Sequence, residues 1–279
     1  MPELKEYFAS VPRFQVNDVE AGGVEFWYQN EETGVYCSFS YSPLDAAELQ
    51  GCGSTGLTFN LNFHRPSFFA YETMPLVEDF CKRFNLIVEN PQDETVEQSD
   101  AASLIASWRR HNTSAMGAIK NTASEEDMEL HYLPETSATA WWRYSRVQKA
   151  LDDTIKEDIF VPSPMILMNP ASELFTMLLW PKGIAQFFPR ADYVYLQRDK
   201  KSLFRTKEET GLVSYDSVIA KIEHLLEDYD FGGLQIKYLR PEKTSQVIPL
   251  IQSLNLEQVD LRQCTRMAPD SFHDVDDSQ

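Results

Sequence analysis

Basic residues, cysteines and long apolar runs are all scarce in this chain of 279 residues, and each shortage excludes something. Lysine and arginine number 25 against 43 aspartates and glutamates, a formal net charge of −18. Such a chain repels nucleic-acid phosphate and anionic lipid, so neither is expected as a partner. The same charge attracts and steers a cationic partner at long range, although it also serves solubility alone. The four cysteines, Cys37, Cys52, Cys81 and Cys264, stand far apart, with no CxxC or CxxxH spacing. That spacing offers no metal site, and a disulfide framework is not expected. No apolar run approaches the roughly 20 residues needed to cross a bilayer. The start, Met1 to Glu6, lacks the basic-then-apolar pattern of a secretory signal, so the expected location is cytoplasmic. Serine elbows, Walker loops, HExxH and kinase motifs are missing too. No cofactor and no metal is called for, but a spatially assembled active site leaves no local motif.

What is present is organised around residues 56 to 90. Leu57, Phe59, Leu61 and Phe63 alternate with Thr58, Asn60, Asn62 and His64, the pattern of a strand buried on one face. Leu76, Val77, Phe80, Cys81 and Phe84 then form a helical stripe, with Pro75 as first helical residue and Asn85 as the left-handed cap. A strand from Leu86 follows. Upstream, residues 1 to 23 read as a lead-in. Val24 to Gln29 and Val35 to Tyr41 alternate as two strands joined by the polar connection Asn30 to Gly34. Gly51-Cys-Gly-Ser-Thr-Gly56 spells GxGxxG but runs into a strand rather than a helix, so it reads as a plain loop.

Downstream, a helix of about twenty residues is expected from Ser99 or Asp100, and another from near Ser137 through Trp141, Tyr144, Val147, Leu151 and Ile155. Strands are expected at 164–168, 174–180 and 191–197. A charged loop follows over Arg198 to Gly211, then a helix carrying Val218 through Tyr229, ended by Gly232-Gly233. A strand at 234–239, a short helix over 249–254 and a last strand at 256–261 complete the pattern. The fold class is therefore α+β: two mostly antiparallel sheet modules, each strand–strand–strand–helix–strand, joined by a helical segment. The divisions are 1–98 for the N-terminal module, 99–160 for the helical connector, 161–264 for the C-terminal module, and 265–279 for a disordered acidic tail. The shared element order also raises an internal duplication.

Three groups of side chains are candidates for function. Trp27 and Tyr36 lie on the polar side of their strands, and Trp142 falls off the apolar stripe of its helix. Exposed aromatics concentrate at protein interfaces, which makes these three partner-binding candidates. His64-Arg65 and the helical neighbours Arg143 and Arg146 could bind an anion or assist proton transfer. The plainer reading of both sets is a solvated sheet face and a solvated helix side. The carboxylate runs at 125–127, 152–153 and 157–158 are neighbours that diverge on a helix, and read as solvated charge.

The stretches Phe59-Asn-Leu-Asn-Phe-His-Arg-Pro-Ser-Phe-Phe-Ala70, Trp180-Pro-Lys-Gly-Ile184 and Pro189-Arg-Ala-Asp-Tyr-Val194 resemble segments of uncharacterised bacterial proteins of the toxin-immunity kind. The resemblance contains no catalytic motif and transfers no site residue. It implies an acidic, non-enzymatic protein-binding protein that neutralises a cognate toxin by occluding it, with a cationic toxin domain as partner. The alternative is an enzyme acting on a small anionic substrate at a cleft between the modules, with His64, Arg65, Arg143 and Arg146 around it. A structural adaptor is the third reading.

Overall fold

A computed structural model describes residues 1–44, 55–91, 95–97, 100–122, 130–202 and 205–275, with backbone alone for 95–97, 119–122, 200–202 and 205–206. The fold is α+β. The chain divides into two compact units, Met1–Glu129 and Leu130–Gln279.

The first unit is built on an antiparallel sheet of order β1-β2-β3-β4, formed by Phe14–Asp18, Val24–Asn30, Val35–Tyr41 and Leu57–Asn60. The expected lead-in over residues 1–23 is instead ordered structure: helix α1 (Pro2–Ser10) followed by β1. Both were hard to read because a nine-residue helix and a five-residue edge strand carry few apolar positions. Phe8 of α1 is nevertheless 1% exposed, stacked on Phe26 at 4.2 Å and packed near Phe39 and Phe80. One buried ring, touching strands and helix together, supplies the apolar contact that local propensity lacks.

Helix α2 spans Phe68–Phe84, so Pro75 lies in its interior rather than at its start. Proline there costs a backbone hydrogen bond, about 3 kcal/mol in a helix interior. The turns before it bury Phe68, Phe69, Ala70, Thr73 and Met74, and burial of that size outweighs the lost bond. Pro75 itself faces out. Asn85 adopts the expected left-handed conformation (φ 51°), and the Leu86 amide bonds the Cys81 carbonyl at 2.9 Å. The short strands β5 (Val88–Asn90) and β6 (Thr95–Glu97) pair only with each other. Helix α3 (Ala101–Thr122) begins at Asp100, whose carboxylate accepts the Ser103 amide at 2.9 Å.

The second unit opens with β7 (Tyr132–Pro134) and α4 (Glu135–Thr154). Its five-stranded sheet comprises β8 (Met165–Met168), β9 (Leu174–Pro181), β11 (Tyr193–Ser202), β12 (Arg205–Ser214) and β15 (Thr265–Arg266), in the order β12-β11-β9-β8-β15. Strands β9 and β11 run parallel, and the other pairs are antiparallel. A second sheet, ordered β10-β14-β13, comprises β10 (Phe187–Phe188), β13 (Glu227–Phe231) and β14 (Leu234–Tyr238). Helices α5 (Tyr215–Ile222) and α6 (Thr244–Ile251) pack on the five-stranded sheet over Leu178, Trp180, Val194 and Leu196.

Several expectations are corrected here. The expected charged loop falls on the paired strands Tyr193–Ser202 and Arg205–Ser214, in which Arg198 turns inward at 6% exposure. Helix α5 stops at Ile222 and a 3-10 turn follows, so Tyr229 lies on a strand. The Gly232-Gly233 pair, φ 60° and 80°, forms a hairpin turn that needs two left-handed residues, rather than a helix stop. In place of a last strand at 256–261 there is an isolated bridge, Leu212 to Glu257, and a 3-10 turn from Leu261. The acidic tail is structured as far as Val275: Phe272 is 1% exposed, and β16 (His273–Val275) pairs parallel with β7. The two units also differ in strand order, one a four-stranded meander and the other a mixed sheet, so the structure shows no duplication. Most of the GxGxxG stretch lies outside the described residues.

Candidate functional site

Alternation along β2 and β3 turns Val24, Phe26, Tyr28 and Asn30 into the first unit's core and leaves Glu25, Trp27 and Gln29 outside. Register then sets Trp27 opposite Ser38, and Ser38 opposite Asn60, in one line across β2, β3 and β4. Tyr36 is the diagonal neighbour of Trp27, within reach for large rings. The two rings stack with centroids 5.6 Å apart and planes 18° from parallel. Beside them is an open depression of about 330 Å³, lined by Trp27, Tyr36, Ser38, Asn60, Leu61 and Asn62.

The rim of this depression is held from below. Strand β4 ends at Asn60 rather than continuing to Phe63, because side chains capture the backbone that would have extended it. Asn62 Oδ1 accepts the His64 amide at 2.7 Å. Asn112 of α3, 8% exposed, donates its amide to the carbonyls of Phe63 and Arg65. Arg65 is thereby brought onto Tyr36: its Nε donates to the phenolic oxygen at 3.1 Å, Nη2 donates to the same atom, and Nη1 donates to the His64 carbonyl. Its guanidinium carbon lies 5.4 Å from the Tyr36 ring centroid, a cation–π contact.

A buried carboxylate anchors the β2–β3 hairpin from the core side. Glu72 of α2, 8% exposed, accepts through Oε1 from Tyr28 Oη (2.9 Å), Asn30 Nδ2 (2.6 Å) and Thr33 Oγ1 (3.2 Å). Burial, and then the Glu72 charge, push the Tyr28 hydroxyl and the Cys37 thiol far above their ordinary values. Both side chains stay protonated and neutral. Sequence reasoning missed Glu72 and Asn112, though each left a trace. Glu72 is a lone charge between Phe69 and Met74, and Asn112 interrupts the stripe Leu104, Trp108, Met116.

Of the expected site residues, Trp27, Tyr36, His64 and Arg65 belong to the first unit; Trp27, Tyr36 and Arg65 meet at the site, and His64 is exposed. Trp142 is corrected: it is 6% exposed. Helix α4 buries Ala138, Trp141, Trp142, Tyr144 and Ser145, a face wider than a single stripe. The Arg146 guanidinium covers the Trp142 ring at 4.9 Å, and Arg143 is exposed. Both arginines belong to the second unit.

Among the described residues no group of three histidines, cysteines or carboxylates is placed to hold a metal ion. Among them, too, no helix is long and apolar enough to cross a membrane. Compared with family models, curated proteins and solved structures, the chain gives no match.

Proposed function

We propose that this is a non-enzymatic binding protein whose first unit holds a cationic partner against the outer face of β2, β3 and β4. The observation that carries the reading is the Trp27–Tyr36 stack, exposed in part beside a depression on a sheet face. Large, rigid rings with one face left to solvent are the usual anchors of protein interfaces. Charge agrees with this. The excess of carboxylates falls mostly on the first 129 residues, and Glu25 shares the outer face with Trp27 without an ion pair among the described residues. The resemblance of Phe59–Ala70, Trp180–Ile184 and Pro189–Val194 to toxin-immunity proteins makes the partner a toxin domain, neutralised by occlusion.

The test is co-purification of the tagged protein with its partner at low and at high salt, repeated with Trp27→Ala. A basic partner in stoichiometric amount, released by salt and lost with Trp27→Ala, is the expected result, since steering by charge weakens as salt screens it. A partner retained equally by wild type and Trp27→Ala overturns the assignment of the surface.

A further inference from the structure

The depression beside Trp27 has a chemical bias that narrows its ligand. Its Asn62 oxygen is already committed to the His64 amide at 2.7 Å, so that side chain has its Nδ2 donor left to offer. The Asn60 amide and the Ser38 hydroxyl make no hydrogen bond among the described residues. Trp27 Nε1 has only a long contact, 3.4 Å, with Gln29 Oε1. Among the described residues no carboxylate and no cation lines the depression, and Arg65 is spent on Tyr36 and on the His64 carbonyl. The surface thus combines aromatic area with neutral hydrogen-bonding groups: Asn62 Nδ2 and Trp27 Nε1 donate, and Asn60 and Ser38 can donate or accept.

The carboxylate excess of this unit, with Glu25 on the same face, favours a basic segment over a neutral sugar ring. A polyproline II segment fits well. It carries apolar rings, has no internal hydrogen bonds, and presents backbone carbonyls that want donors. It is also ordered before binding, which lowers the entropic cost of docking.

We infer that the Trp27 depression takes a proline-rich segment of the partner in the polyproline II conformation, with a lysine or arginine adjoining it. The proline rings lie on the free face of Trp27, and the donors of Asn60, Asn62 and Ser38 meet the segment's carbonyls. Glu25, two residues from Trp27 on the same face, takes the basic residue. The inference rests on the reading of this face as the binding surface and names what the face recognises.

The experiment is selection of a random dodecapeptide display library on the full chain, with counter-selection on Trp27→Ala and Asn60→Ala, each checked for an unchanged melting transition. Binders enriched in proline with a neighbouring lysine or arginine, at least tenfold weaker on Trp27→Ala and weakened on Asn60→Ala, are expected. Glu25→Gln should erase the preference for the basic residue while leaving the proline preference. Trp27-dependent binders without proline overturn the segment class and leave the surface standing. A selection with no Trp27-dependent peptide overturns the inference, as does Trp27-dependent binding of cellotetraose in its place. The partner co-purification, read separately with Trp27→Ala, shows whether the surface itself fails.

Discussion

Trp27 and Tyr36 stack at 5.6 Å on adjacent antiparallel strands, and Trp27 is only half-buried while the other four tryptophans are buried. One consequence needs no partner. Iodide should quench a single component of the tryptophan emission, and Trp27→Phe should abolish that component. Quenching that persists in Trp27→Phe would contradict the exposure of this face.

Glu72 ties α2 to the hairpin that carries both rings. Glu72→Ala leaves Tyr28, Asn30 and Thr33 with buried donors lacking this acceptor. The expected cost is about 2–4 kcal/mol, read as a lower urea midpoint. Glu72→Gln keeps an oxygen in place and should recover part of that loss. Equal destabilisation by the two variants would mean that the negative charge, not the acceptor, is what matters.

The Cys37 thiol should be almost inert in the folded protein. Burial, then the nearby Glu72 charge, raises its ionisation well above the ordinary value of 9.0, so little thiolate forms. Tyr28 is raised in the same way, and burial pushes Tyr215 up to about 12. For acids raised on folding, the unfolded chain loses its protons first. Stability is therefore whole below about pH 9 and falls as pH climbs through the raised values. Alkylation followed by peptide mass spectrometry should label Cys37 only under conditions that unfold the protein. Rapid labelling of the native state at pH 8 would be the contrary result.

Arg198 joins β11 to the end of α6. It meets Glu209 (Nε to Oε2, 2.8 Å) and donates Nη1 to the carbonyls of Ile251 (2.6 Å) and Leu254 (2.8 Å). Arg198→Met removes the donor that the Ile251 and Leu254 carbonyls receive and should cost about 1–3 kcal/mol by chemical denaturation. Arg198→Met with Glu209→Leu should be milder than the sum of the two single changes, because both remove the same contact. An additive double variant would show that the pair does not act as a unit.

The sequence by itself determined the α+β class, the alternation of β2 and β3, the Asn85 cap, a helix start at Ser99 or Asp100, and the outward placing of Trp27 and Tyr36. These follow from local rules: a period of two, a period of 3.6, and side chains that bond their own backbone. Tertiary structure decided the rest. It carried α2 through Pro75, because burying Phe68 and Phe69 outweighs one lost bond. It turned Arg198 inward, where carbonyls from a distant helix receive it, and buried Trp142 on an α4 face too wide for a stripe to reveal. It ended β4 at Asn60 through the reach of Asn112, 47 residues from Arg65 in sequence. Local chemistry shows which side of an element is apolar, but only the packed chain shows which groups meet there. Contacts between distant residues leave no periodic trace.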